Sequence, residues 1–252
     1  MVCVVFLGPA GSGKTTLTKT FGTWLEKSFE YRVAYVNLDP GAEEVPYRPS
    51  FDIRTMIRLV DVMRKYGLGP NGGMIKCMDL MLEKSDYIVN RIVELDRESD
   101  FVLVDTPGQM EPFVFRSTGP ALIGKLSHLT NCVGVIVLDP LLAERAPGLV
   151  TVALLMLLIQ IRLGIKCIAV INKADLTEKV EIMELMTDLG KLEEELLEES
   201  SVEADVARGC IEIVKVAMPP SRVVLVSAKD GTGMSDLYSI LHEVYCVCGD
   251  LT

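Results

Sequence analysis

The chain alternates between two hydrophobic rhythms. Residues 2–7, 33–38, 101–104, 133–138, 167–171 and 223–226 are short, β-branched and apolar almost throughout, as strands buried on both faces must be. The stretches between them carry apolar residues at helical spacing instead. Leu17, Phe21 and Leu25 lie four apart in a helix expected over 14–27, and Ile53, Met56, Ile57, Val60 and Met63 trace one helical face that stops at Gly67. Met74, Met78, Met81, Ile88, Ile92 and Leu95 trace another. Between those faces, residues 67–73 hold four glycines and a proline, which predicts a loop joining the two helices. Six strands separated by helices make an α/β fold with a mostly parallel sheet flanked by helices. Right-handed crossovers bring the carboxyl ends of such strands to one edge, where ligands bind.

Two segments depart from this rhythm. Residues 149–163 are apolar nearly all round, so the helix they form needs cover on every side: the core on one, a subunit or client protein on the other. Their apolar stretch, 149–159, is shorter than the about 20 residues a membrane span requires, and no membrane partner is expected. Residues 177–220 show no strand pattern and include the run Glu193-Glu194-Glu195-Leu196-Leu197-Glu198-Glu199, which predicts a helical acidic insertion with a solvated face.

Composition narrows the setting. A chain of 252 residues without a repeat, 49% hydrophobic, fits a single domain with a large core. Its formal charge of −10 opposes nucleic-acid binding, which needs clustered Lys and Arg to neutralise phosphates. The cysteines, seven in all and without a framework spacing, read as reduced thiols of a cytoplasmic protein. No basic segment precedes the first strand, so no signal peptide is expected.

The chemistry sits at strand ends. Gly8-Pro9-Ala10-Gly11-Ser12-Gly13-Lys14-Thr15 follows the first strand and opens the first helix, the arrangement of a phosphate-binding P-loop. Its glycines let backbone N–H groups converge, with Gly11, Ser12, Gly13 and the first-turn residues Thr15 and Thr16 around the phosphates. Lys14 is placed to neutralise the β- and γ-phosphates, and the Thr15 hydroxyl to bind Mg²⁺. Asp105-Thr106-Pro107-Gly108-Gln109 follows the third strand. There Asp105 can hold Mg²⁺ through its waters, Gly108 can offer its N–H to the γ-phosphate, and Gln109 can orient the attacking water. Asp39, at the end of the second strand, emerges beside the P-loop and is a candidate to hold that water.

Asn172-Lys173-Ala174-Asp175 supplies the base. A carboxylate accepts two adjacent hydrogen bonds, and guanine presents N1–H and its 2-amino group side by side, so Asp175 selects GTP and GDP. Asn172 either bonds the other edge of the base or braces the loop, and the stem of Lys173 covers the ring. Ser227-Ala228-Lys229, one strand later, is expected to turn a backbone N–H toward the guanine carbonyl.

The order G-x4-G-K-T, D-x-P-G, N-K-x-D, S-A-K resembles the GTPase signature set, and the absence of a long loop between the first helix and second strand resembles the class containing signal-recognition-particle GTPases and MinD-like ATPases. Gly69-Pro70-Asn71, Asn37-Leu38-Asp39-Pro40-Gly41, residues 105–111 and the terminal Tyr245-Cys246-Val247-Cys248-Gly249-Asp250-Leu251 together resemble the GPN-loop GTPases. That resemblance implies a P-loop NTPase fold with its namesake loop at about 67–73. It further implies a homodimer in which Asn71 reaches the neighbouring subunit's site, and a protein client, by analogy in RNA polymerase assembly. Asn71 also has a local alternative, an Asx-turn closing its own loop.

Three other readings stay open. Cys246 and Cys248, with His242 four residues upstream, form at most a sparse metal site; buried tail thiols are the simpler account. A metallochaperone of the same class would be expected to carry His-rich stretches that this chain lacks. A small-molecule kinase would lack N-K-x-D and need an acceptor pocket.

Overall fold

The computed structural model describes residues 2–176, 185, 188–217 and 223–245. At its centre is a seven-stranded sheet: β1 (Val2–Leu7), β2 (Val33–Asn37), β3 (Phe51–Asp52), β4 (Phe101–Asp105), β5 (Cys132–Leu138), β6 (Lys166–Ile171) and β7 (Val223–Leu225). They run in the order β3-β2-β4-β1-β5-β6-β7, and every pair is parallel. All six strands predicted from sequence are present, and the two-residue β3 adds a seventh at the edge. It pairs only Phe51 and Asp52 with Val36 and Asn37, too short to leave a periodic signal.

Period-two alternation divides β1 between two cores. Val2, Val4 and Phe6 face a layer holding Leu17, Phe21 and Leu25 of α1 (Lys14–Phe29) and Leu237 and Leu241 of α10 (Met234–Tyr245). Cys3, Val5 and Leu7 face the larger layer. That layer is built by α2 (Leu59–Tyr66), α3 (Pro70–Glu83), α4 (Ser85–Glu98), α5 (Met110–Val114), α6 (Thr118–Ser127), α7 (Ala146–Leu163), α8 (Leu189–Glu198) and α9 (Val202–Ala217). Burial on both faces explains why β1 carries no polar residue.

The glycine-rich stretch corrects an expectation. Only residues 67–69 are loop; α3 begins at Pro70, so Asn71, Gly72 and Gly73 lie in its first turn. Pro is suited to that position because its missing N–H would be unpaired there anyway. Gly67 ends α2 in the left-handed region, φ 64°, with its N–H on Met63 O. Gly73 lets α2 and α3 pack closely: a Cβ there would lie 2.6 Å from Met63 Cγ and displace that side chain. The stripe from Met74 to Leu95 likewise divides into two helices. They meet at Lys84, whose φ of −103° and ψ of 14° leave helical geometry, before buried Ser85, which accepts from Lys125 Nζ at 2.8 Å.

The apolar helix α7 packs on β5, β6, α6 and α9. At 18 residues it is longer than its apolar sequence stretch, long and apolar enough by length and composition to cross a membrane, yet half of it is buried within the fold. Its outer positions Leu158 and Ile161 are bare, at 55% and 71% exposure. In the acidic insertion, Leu192 and Leu196 of α8 are buried while its glutamates Glu194, Glu195 and Glu198 face outward.

Candidate functional site

Because all strands are parallel, the loops after β1, β2, β4, β6 and β7 open on one edge. The P-loop occupies its centre. Gly8 and Gly13 adopt φ of 141° and 91°, where side chains are disfavoured. Space forbids them as well: a Cβ on Gly8 would lie 2.1 Å from Val137 O, and one on Gly13 2.4 Å from Asn172 Nδ2. Lys14, 5% exposed, donates from Nζ to Gly8 O at 2.8 Å, Pro9 O at 2.9 Å and Gly108 O at 2.9 Å. Burial draws its pKa down, against the pull of Asp105, Asp39 and Glu111. Thr16 is exposed on the first turn of α1, and Ser12 Oγ is buried without a protein partner.

Gly108 is held from its other side too. Its N–H donates to Asp39 Oδ2 at 2.8 Å, while Asp39 Oδ1 accepts from Gly41 N at 2.8 Å. The N–H expected to meet a γ-phosphate is thus engaged by the carboxylate expected to hold the water. Asp39 is itself anchored: its N–H donates to Asn37 Oδ1 at 3.0 Å, and Asn37 Nδ2 donates to Asp52 Oδ1 at 3.0 Å. Arg54 closes the segment by pairing with Asp52 at 2.6 Å and donating to Ala42 O and Glu43 O.

Asp105 is 1% exposed. Burial pushes its carboxyl up to about 6, opposed by hydrogen bonds from Thr15 and from Tyr47, whose hydroxyl donates to Oδ2 at 2.9 Å. Oδ1 is buried with no protein partner. An orphaned carboxylate oxygen beside a threonine hydroxyl is a hard-oxygen donor set that fits Mg²⁺, which takes few protein carboxylates and keeps its waters. Tyr47 was not legible as a site residue, since nothing in its sequence surroundings marks chemistry.

In the base loop, Asn172 is a brace. Buried to 2% exposure, it donates from Nδ2 to Ser12 O at 2.8 Å and accepts from Ala228 N at 3.0 Å. Of the backbone N–H groups in Ser227-Ala228-Lys229, that of Ser227 donates to Thr232 O at 3.0 Å and that of Ala228 to Asn172. Ser227 Oγ donates to Asp175 Oδ1 at 3.0 Å, and Lys229 Nζ lies 3.5 Å from Asp175 Oδ2. Lys173, at a left-handed φ of 60°, pairs with Asp139 at the end of β5. Asp139 had a usable signal: Leu138-Asp139-Pro140 repeats Leu38-Asp39-Pro40.

Two predicted residues stand apart. Gln109 is exposed just before α5, and Asn71 is exposed in the first turn of α3, its amide without a hydrogen bond among the described residues, so the Asx-turn is not formed. Among the described residues no three His, Cys, Asp or Glu cluster to hold a metal ion; Cys246 and Cys248 lie outside them.

A phosphate cradle, a buried carboxylate beside Thr15 and a braced N-K-x-D loop on one edge of a parallel sheet define a P-loop nucleoside triphosphatase. A family model described as a conserved hypothetical ATP binding protein matches residues 6–247. The chain is 40% identical to the GPN-loop GTPase PAB0955 of Pyrococcus abyssi, covering 99% of both. It superposes on the crystal structure of that GTPase in apo form with a TM-score of 0.88, at 39% identity over 98% of each chain. GPN-loop GTPase 1 of Dictyostelium discoideum is 27% identical over 93% of this chain, which spans 59% of that relative's length. The chain belongs to the GPN-loop GTPase family. The family model's description names ATP, whereas its relatives are named GTPases.

Proposed function

We propose that the chain binds GTP with Mg²⁺ and hydrolyses it to GDP and phosphate as a homodimer, switching the assembly of a protein client in the cytoplasm. The observation that carries this is the convergence of Lys14, Asp39, Asp105 and Gly108 at the mouth of the P-loop, with Asp175 held by Ser227 further along the same edge. Lys14 serves the β- and γ-phosphates by exchanging its carbonyl partners for them, which frees Gly108 O. Release of the Gly108 N–H from Asp39 presents a donor to the γ-phosphate and leaves Asp39 Oδ2 to accept from the attacking water, with Gln109 aligning it. Thr15 and, through water, Asp105 would hold Mg²⁺, which would supply positive charge beside the phosphates.

Asn71 is assigned to the neighbouring subunit's site. Supporting this, Asn71 is exposed and its amide has no hydrogen bond among the described residues, and Pro70 with α3 fixes where it projects. Subunit mixing tests the proposal. Asn71→Ala and Asp39→Ala proteins, each inactive in phosphate release from GTP, should recover activity on mixing because each mixed dimer holds one intact composite site. No recovery despite demonstrated subunit exchange would end the claim of action in trans.

A further inference from the structure

We infer that Tyr47 is a positioning residue for the magnesium carboxylate, fixing Asp105 so that Oδ1 is the oxygen presented to the cation and its waters. The inference rests on the proposed Mg²⁺ site. Asp105 ends β4, and the rotation of its carboxylate decides which oxygen meets the cation. Tyr47 fixes that rotation by donating to Oδ2 at 2.9 Å, while Oδ1 stays buried and unpartnered. A hydrogen bond to an ionised acceptor is about twice as strong as a neutral one, enough to hold a single orientation.

The phenol is itself held. Its ring stacks on Tyr35, centroids 5.1 Å apart and planes 17° from parallel. Tyr35, 8% exposed, lies against α1 at Gly22, where a Cβ would come within 2.3 Å of its hydroxyl oxygen. α1 also carries Thr15, whose hydroxyl acts with that of Tyr47 to hold down the Asp105 pKa against burial. Both groups around the Asp105 carboxylate are therefore referenced to one helix. Tyr47 also belongs to the segment that begins at Asp39, so this segment grips the β4 turn twice, at Asp105 and at Gly108. Outer partners of this kind set ligand orientation, and their loss weakens metal affinity 10- to 100-fold in metal sites generally.

The test is a Mg²⁺ titration of the full chain binding a fluorescent GDP analogue, beside the same binding in chelator. Tyr47→Phe keeps the ring stack and deletes only the O–H. We expect its Mg²⁺ midpoint to rise about tenfold, with nucleotide affinity in chelator unchanged at a temperature where the variant is folded. A midpoint within twofold of wild type overturns the inference and leaves the Mg²⁺ site standing. An equal loss of affinity in chelator also overturns it, since that marks a structural role. Asp105→Asn separates the two levels: wild-type behaviour in that variant, or no Mg²⁺ dependence in the wild type, removes the metal site itself.

Discussion

Asn172→Ala should damage stability and nucleotide binding together, because this side chain ties three loops that the sheet leaves separate. Its Nδ2 holds Ser12 O at 2.8 Å and its Oδ1 accepts from Ala228 N at 3.0 Å, in surroundings that leave it 2% exposed. Alanine orphans a buried carbonyl and a buried N–H, each costing about 1–3 kcal/mol. Their sum is about 2–6 kcal/mol, with entering water pulling toward the lower end. For a domain of this size, at about 2–4 °C per kcal/mol, that lowers the melting temperature by about 4–24 °C. Asn172→Asp sharpens the test. It keeps the acceptor for Ala228 N but sets a carboxylate oxygen against Ser12 O, so it should be no more stable than the alanine variant. The assay is thermal and urea unfolding in chelator without nucleotide, followed by GTP binding at a temperature where each variant is folded. A shift under about 2 °C with unchanged GTP affinity would refute the brace.

Asp39→Asn should leave GTP affinity within a fewfold while phosphate release falls at least about 100-fold, measured in single turnover; equal turnover removes Asp39 from the mechanism. Burial pushes Asp105 up to about 6, from 3.8 in an unfolded chain, so between those values the folded protein holds a proton the unfolded chain has lost. Stability in chelator therefore falls as pH rises from about 4 through 6, and Asp105→Asn should flatten that limb of the melting curve; an unchanged slope contradicts the shift. Thiol alkylation followed by mass spectrometry should modify half-buried Cys132 and Cys210 well before Cys3, Cys77 and Cys167, with burial holding the Cys77 thiol up near 11. Early labelling of Cys77 would mean that α3 opens readily.

Six strands and the four motifs were legible because a strand buried on both faces must be an apolar run, and because each motif closes such a run. What escaped depended on partners distant in sequence. Gly72 and Gly73 read as helix breakers, yet both lie within α3, where a Cβ on Gly73 would come 2.6 Å from Met63 Cγ of α2 and make that side chain shift. β3 needs only two residues, since β2 supplies its register. Tyr47 owes its place to Tyr35 and Asp105, 12 and 58 residues away. Asn172 admitted two roles from composition alone, and the distance to Ser12 O chose between them.

The central claim is that this cradle is a guanine site, and Asp175 tests it most directly. Aspartate accepts from both guanine donors, whereas an asparagine in its place would pair with xanthine, which carries an oxygen where guanine has its 2-amino group. Phosphate release from GTP, XTP and ATP should show the wild type preferring GTP by roughly 10⁴ in kcat/KM, and Asp175→Asn reversing the order of GTP and XTP. Equal use of ATP and GTP by the wild type, or an unchanged GTP preference in the variant, would contradict the account.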